Sequence, residues 1–184
     1  MSTRVVVVDH YDSYTYNLVH LIAAVTGELP TVVAHDRITA TDLADFSHIV
    51  LSPGPGHPAD TAYFSLGSAV FELPQPVLGV CLGMQALVLA YGGKVERTHP
   101  AHGEVARIEH DGTTVFTGLS SPLDGVRYHS LAAVEVPAAL RVTATAGDVV
   151  MGVAHRERRQ WGVQFHPESI LTEHGEAMMG SFLS

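Results

Sequence analysis

A single cysteine, Cys81, stands in a chain of 184 residues, so no internal disulfide can form and packing alone must hold the fold. That poverty suits a reducing cytoplasm, which is the expected location. Basic side chains are scarce too. Ten Lys and Arg face nineteen Asp and Glu, a net charge of −9, and binding a phosphate backbone needs a basic footprint, so no nucleic acid partner is expected. No apolar run approaches the length of a membrane span, which excludes a membrane role by helices. A basic, apolar leader is not expected either, because the chain goes directly into Val5-Val6-Val7-Val8, a strand. The twelve histidines are scattered without a spacing such as H-E-x-x-H, and no metal site is read. With only 16% charged residues against 46% apolar ones, a disordered tail is excluded, and a single domain over 1–184 is expected.

What is present centres on Pro76-Val77-Leu78-Gly79-Val80-Cys81-Leu82-Gly83-Met84-Gln85. The apolar run Val77 to Val80 reads as a buried parallel strand. It leads into Cys81 and then into an apolar segment to Tyr91, about three helical turns long and closed by Gly92-Gly93. Glycines two before and two after the cysteine give the G-x-Cys-x-G elbow, where side chains at Gly79 and Gly83 would collide with neighbouring elements. Such a turn exposes the sulfur at a helix N-terminus, where a thiolate is favoured, and frees the Leu82 N–H for a developing oxyanion. A lone cysteine in an apolar run is more often a core residue. The decision therefore rests on what else reaches the same place.

The first half alternates strand and helix: Val5 to Asp9, a helix from an Asp12 or Ser13 cap to Gly27, Pro30 to His35, a partly helical connector over Ile38 to Phe46, and His48 to Ser52. A helix capped by Asp60 and reaching Glu72 precedes the elbow strand. This is the pattern of a doubly wound α/β sheet, in which ligands sit beyond the carboxyl ends of the strands. Cys81 and the rigid run Pro53-Gly54-Pro55-Gly56 both fall at such ends. Gly-Pro-Gly can be turn chemistry alone; a phosphate cradle lacks its lysine; an oxyanion loop would use glycine's close approach. Past Gly93 the chain turns to short strands: Lys94 to Arg97, Gly103 to His110, Thr114 to Phe116, Val126 to Ala133, Leu140 to Ala146 and Val149 to His155, with Asp111-Gly112 as a hairpin turn. They either extend the sheet or form a smaller antiparallel layer. Trp161 to Phe165 is a last strand ending in His166-Pro167-Glu168. Two residues apart in extended chain, His166 and Glu168 point the same way, so the carboxylate can fix the imidazole as a base for Cys81. Gln85 is the one strongly polar side chain in an otherwise apolar helix and needs a partner.

Taken together, Ser52-Pro-Gly-Pro-Gly56, Gly79-Val-Cys-Leu-Gly83 with Gln85, Arg127-Tyr-His-Ser-Leu131 and Gly162-Val-Gln-Phe-His-Pro-Glu-Ser169 resemble the class I, triad-type glutamine amidotransferases over essentially the whole chain. Asp12-Ser-Tyr-Thr-Tyr-Asn-Leu18 and Thr172-Glu-His-Gly175 point to the glutaminase component of chorismate-aminating enzymes. The resemblance implies a flavodoxin-like α/β fold with a mostly parallel central sheet flanked by helices and a smaller antiparallel β layer. It implies Cys81, His166 and Glu168 as catalytic residues, backbone groups of Gly54 and Leu82 as the oxyanion hole, and Gly54, Pro55, Gly56, Gln85, Ser130 and Leu131 as the binding site for L-glutamine. It implies no cofactor in this chain, magnesium belonging only to a chorismate-binding synthase partner, which is a separate subunit or a fused domain. Tyr14-Thr-Tyr16 and Val149 to His155 look closer to aminodeoxychorismate synthase than to anthranilate synthase; a secondary-metabolite aminase is a further alternative, and a stand-alone cysteine hydrolase a competing class. Two positions depart from the family: Met84 stands where many relatives carry histidine, and His10 where asparagine is usual, altering the wall near the partner interface.

Overall fold

The computed structural model describes residues 3–184. The described elements are β1 (Val5–Asp9), α1 (Thr15–Thr26), β2 (Thr31–Ala34), β3 (His48–Leu51), β4 (Val77–Val80), α2 (Leu82–Ala90), β5 (Lys94–His110), β6 (Leu123–Glu135), β7 (Leu140–Ala146), β8 (Val149–His155), β9 (Gln160–Val163) and α3 (Gly175–Leu183). The strands form one mixed sheet in the order β2-β1-β3-β4-β9-β8-β7-β5-β6. From β2 to β9 every pairing is parallel, and from β9 to β6 every pairing is antiparallel. The second half therefore extends the sheet, and its far end is the long β5–β6 ribbon.

Alternation along the strands divides the core in two. Val5 and Val7 of β1 face α1 and α3, joining Leu18, Ile22, Met178, Met179 and Phe182. Val6 and Val8 face the other way, joining Leu82, Met84, Leu87 and Val88 of α2. Strands with valine on both faces must be covered on both, which is why β1, β3 and β4 are runs of apolar residues rather than alternating ones. Met84 is fully buried against β9, where a side chain at Gly162 would lie 2.7 Å from its Cγ.

Local chemistry explains where the sequence reading departs from the structure. Asp12 does not cap α1; its carboxylate takes the Tyr14 N–H at 2.7 Å, and the helix starts at Thr15, whose hydroxyl donates to Asp9. The expected Asp60–Glu72 helix is instead an isolated turn at Asp60 followed by a 3-10 segment, Gly67–Glu72. Gly67 at φ +56 interrupts any α-helix there, and burial of Phe64, Leu66, Val70 and Phe71 dictates the path. Thr114–Phe116 is a 3-10 turn rather than a strand, with Thr114 at φ +56. Asp111-Gly112 closes no hairpin: the Asp111 N–H bonds the Thr143 carbonyl of β7, and its carboxylate caps Thr113. The two strands expected over 94–97 and 103–110 are one strand, β5, whose pairing with β6 shifts register around Arg97 to Ala101 and His102 to Glu104.

Candidate active site

The carboxyl ends of β3, β4 and β9 bring the chemistry-bearing residues together. β4 is paired in register with β9, Gly79 opposite Gly162 and Val80 opposite Val163, and the Cys81 N–H continues that ladder to the Val163 carbonyl at 2.8 Å. The chain then turns sharply: Cys81 adopts φ 53, ψ −100, a strained conformation for a residue with a side chain, and α2 begins at the next residue. Only glycine fits around it. A Cβ on Gly79 would lie 2.3 Å from the Gly83 carbonyl carbon, and one on Gly83 would lie 2.7 Å from the Leu51 oxygen. Leu82 opens the first turn of α2, where N–H groups have no intrahelical acceptor. Gly54 is pressed against it, since a Cβ there would lie 2.6 Å from Leu82 Cδ2 and from His10 Cβ.

Cys81 lines a cavity of about 190 Å³ together with Gly54, Pro55, Gly56, Gln85, Ser130 and Leu131, so every glutamine-site residue read from the sequence faces one space. Tyr128 and His129 complete its wall; the sequence showed them within the Arg127–Leu131 motif but gave them no role. Gln85 finds its partners inside the protein: its amide nitrogen donates to the Leu131 carbonyl and to Gln164 Oε1, both at 3.1 Å. Gln164, also missed, sits 3.5 Å from Cys81 Sγ through its own amide nitrogen. Its motif position was visible, but its direction depends on the end of β9.

His166 and Glu168 meet as expected, Nδ1 to Oε1 at 2.5 Å, with both side chains buried. The route differs from the extended strand of the sequence reading. β9 ends at Val163, and the residues from His166 form a turn closed by the Ser169 N–H on the His166 carbonyl. The His166 N–H bonds the Val126 carbonyl of β6, and Thr172 Oγ1 donates to the His166 carbonyl, so the backbone that carries the imidazole is held from two sides. Burial works against a charge on this ring, yet Cys81 and Glu168 outweigh it and push its pKa up to about 10. Nε2 itself is buried without a conventional hydrogen-bond partner, a looseness usual before substrate arrives. Tyr14 and Tyr128 close the edge of the ring, each with its centroid 5.4 Å away.

The neighbouring His129 is held neutral. Burial lowers its pKa to about 4, with Arg127 and His166 adding repulsion against the favourable bond to Leu131. Its Nδ1 donates to the Leu131 carbonyl at 2.8 Å while Nε2 accepts from Arg127 Nε, which fixes its tautomer. His10 is not a surface wall residue: it is 1% exposed, stacked between His35 and Phe64, with Nδ1 on Ser52 Oγ. Among the described residues no group of three or more His, Cys, Asp or Glu side chains is arranged to hold a metal.

The family model described as "Glutamine amidotransferase class-I" matches residues 6–184. The chain belongs to the class I glutamine amidotransferase family. As an amidotransferase-family chain it is 47% identical, over 98% of its length, to an aminodeoxychorismate synthase of Streptomyces pristinaespiralis, of which the match covers 26%. It is 49% identical to anthranilate synthase component 2 of Thermus thermophilus over 98% of this chain and 91% of that one. The chain thus spans about a quarter of the length of the aminodeoxychorismate synthases it matches. A solved structure from Thermoplasma acidophilum, described as belonging to a GMP synthase, superposes with a TM-score of 0.89 at 23% identity, over 100% of this chain and 93% of that one, and so shares its fold. No helix among the described residues is long and apolar enough to cross a membrane.

Proposed function

We propose that the chain hydrolyses L-glutamine through a cysteinyl thioester and passes the ammonia to a chorismate-binding synthase, present as a separate subunit or a fused region. The observation that carries the reading is Cys81 at a strained elbow, open to the Gly54–Leu131 cavity, with a His166–Glu168 pair whose imidazole is held protonated by both neighbours. In this reading the Cys81 thiolate attacks the δ-carbon of glutamine, and the N–H groups of Gly54 and Leu82 hold the resulting oxyanion, each worth about 3 kcal/mol. His166 already carries the proton that the departing ammonia needs. It then takes a proton from the water that cleaves the thioester, releasing glutamate and regenerating Cys81. Glu168 on Nδ1 keeps the ring oriented throughout.

Ammonia made without a consumer would be lost, and the surface around the site supports a partner. A second cavity of about 490 Å³ shares Tyr128 with the first and is lined by Glu168 as well. At its rim Ile170 is 98% exposed and Leu171 is 56% exposed, an apolar pair that water does not favour. Supply of ammonia for aminodeoxychorismate is supported by Tyr14-Thr-Tyr16 and Val149–His155, and supply for anthranilate by the Thermus relative of similar length. Magnesium, in either case, belongs to the synthase.

The test is glutamate release by this chain, alone and with a chorismate-aminating synthase subunit plus chorismate, with Cys81→Ala as control. A basal rate that rises on adding both, and vanishes in Cys81→Ala, is expected; the aminated product names the acceptor. A rate indifferent to the synthase would identify a stand-alone hydrolase instead.

A further inference from the structure

Gln164 is fully buried and takes no part in the proposed reaction. Which end of its amide faces the sulfur follows from its neighbours. The Leu131 carbonyl can only accept, and it takes both His129 Nδ1–H and Gln85 Nε2–H. The nitrogen of Gln85 is thereby fixed, and its second N–H goes to Gln164. Gln164 must therefore present its oxygen to Gln85 and its nitrogen to Cys81 Sγ, at 3.5 Å. The main chain holds both partners: the Gln164 N–H bonds Met151 of β8, and the Cys81 N–H bonds Val163.

We propose that Gln164 sets the ionisation and aim of the nucleophile, its N–H donating to Cys81 Sγ. The inference rests on the reading of Cys81 as nucleophile. An N–H donor lowers the energy of S⁻ far more than that of S–H, because a hydrogen bond to a charged acceptor is roughly twice as strong as one between neutral groups. The Gln164 amide is fully buried, so no water competes with the sulfur for its N–H. A donor fixed on the sulfur also limits its rotation, which keeps it directed at the cavity it lines. Because Gln85, which lines that cavity, fixes the Gln164 amide, the wall that receives glutamine and the charge on the sulfur are joined by two hydrogen bonds. A merely structural amide would need its partners too, but its removal would leave the reactivity of the sulfur unchanged.

Cys81 is the sole cysteine, so its alkylation by iodoacetamide can be followed without background. The rate is measured from pH 5 to 10 for the wild-type chain, Gln164→Leu and Gln164→Glu, each checked for fold by circular dichroism. The pH midpoint is expected to rise by about one unit in the leucine variant, a tenfold loss of thiolate below the midpoint. It rises further in the glutamate variant, which turns an acceptor on the sulfur. With glutamine, kcat falls about tenfold or more while KM stays within about twofold, the signature of an interaction made at the reacting atom. Folded variants whose midpoints coincide with the wild type would overturn the proposal. Should Gln164→Leu not fold, Gln85→Leu frees the Gln164 amide to flip and must raise the midpoint as well; an unmoved midpoint there is equally fatal. Alkylation needs no glutamine. A chain that shows Gln164-dependent alkylation but no glutaminase activity would therefore refute the proposed function and leave this inference standing.

Discussion

Replacing His10 by asparagine should make the protein resistant to acid. In the folded chain burial is the main force on this imidazole, reinforced by repulsion from His35, and together they lower its pKa from 6.5 to about 3 despite bonds to Ser52 and Val8. Ser52 Oγ spends its only proton on the Pro53 carbonyl, so His10 Nδ1 must donate to it, and Nε2 is left buried without a partner. A proton therefore has nowhere favourable to go in the native state, whereas the unfolded chain binds it at an ordinary affinity. The contribution of His10 is complete above pH 6.5 and is lost as pH falls from there toward about 3. Between pH 8 and pH 5 the loss comes to about 2 kcal/mol, one proton taken up over roughly 1.5 pH units below 6.5 at about 1.4 kcal/mol each. Other histidines titrate in the same range, so the quantity to measure is the difference between wild type and His10→Asn in urea unfolding at pH 8, 6.5 and 5. The wild type should lose about 2 kcal/mol more than the variant, roughly 1 M in midpoint at an m-value of about 2 kcal/mol/M. Stability curves that run parallel from pH 8 to 5 would refute the assignment of a neutral, trapped imidazole.

Gly79→Ala places a methyl 2.3 Å from the backbone of Gly83, where no side chain can swing aside. A cost of about 3 kcal/mol should lower Tm by roughly 6–12 °C; an unchanged melt would mean the elbow can open without penalty. The His166 imidazole should keep its proton to about pH 10 in wild type and titrate distinctly lower in both Cys81→Ala and Glu168→Gln, read by NMR of the ring. Its stabilising contribution is full below pH 6.5 and fades as pH rises toward 10, the opposite sense to His10. A His166 titration unmoved by Cys81→Ala would separate the two side chains and remove the acid from the proposed reaction.

The strands of the parallel half were legible because β-branched runs and breakers speak locally: Val5–Asp9, His48–Leu51 and Val77–Val80 all lie where apolar runs end at Asp, Ser-Pro or Cys. The glycines of the elbow were legible for a steric reason, and the contacts at Gly79 and Gly83 bear that reason out. Segments governed by tertiary burial were not. Asp60–Glu72 has helical composition, yet Phe64 and Phe71 are buried and stacked, and the backbone follows them. Thr114–Phe116 carries strand-type residues and turns because Val115 and Phe116 are both drawn into the core. At the candidate site, which residues come together was readable, but their directions were not. That His166 and Glu168 would meet was visible in their spacing, although a turn and not an extended chain brings them together. The orientation of Gln164, set by a hydrogen bond from Gln85, 79 positions away, lies outside any local reading.

The register between β4 and β9 carries a consequence for how this site tolerates change. Cys81 and Gln164 follow directly from two hydrogen-bonded neighbours, Val80 and Val163, at the same level of the sheet. The separation of their backbones is inherited from the spacing of adjacent strands, about 4.8 Å in any sheet, and owes nothing to the side chains that fill the two core layers. Repacking those layers can soften the protein without changing the distance between these two backbone positions. Insertions in the loops leave it untouched as well. A slip of one residue in this single pairing would instead carry both groups to opposite faces of the sheet. The spacing of the two positions is thus guarded by peptide geometry, and the rest of the chain is free to drift around it.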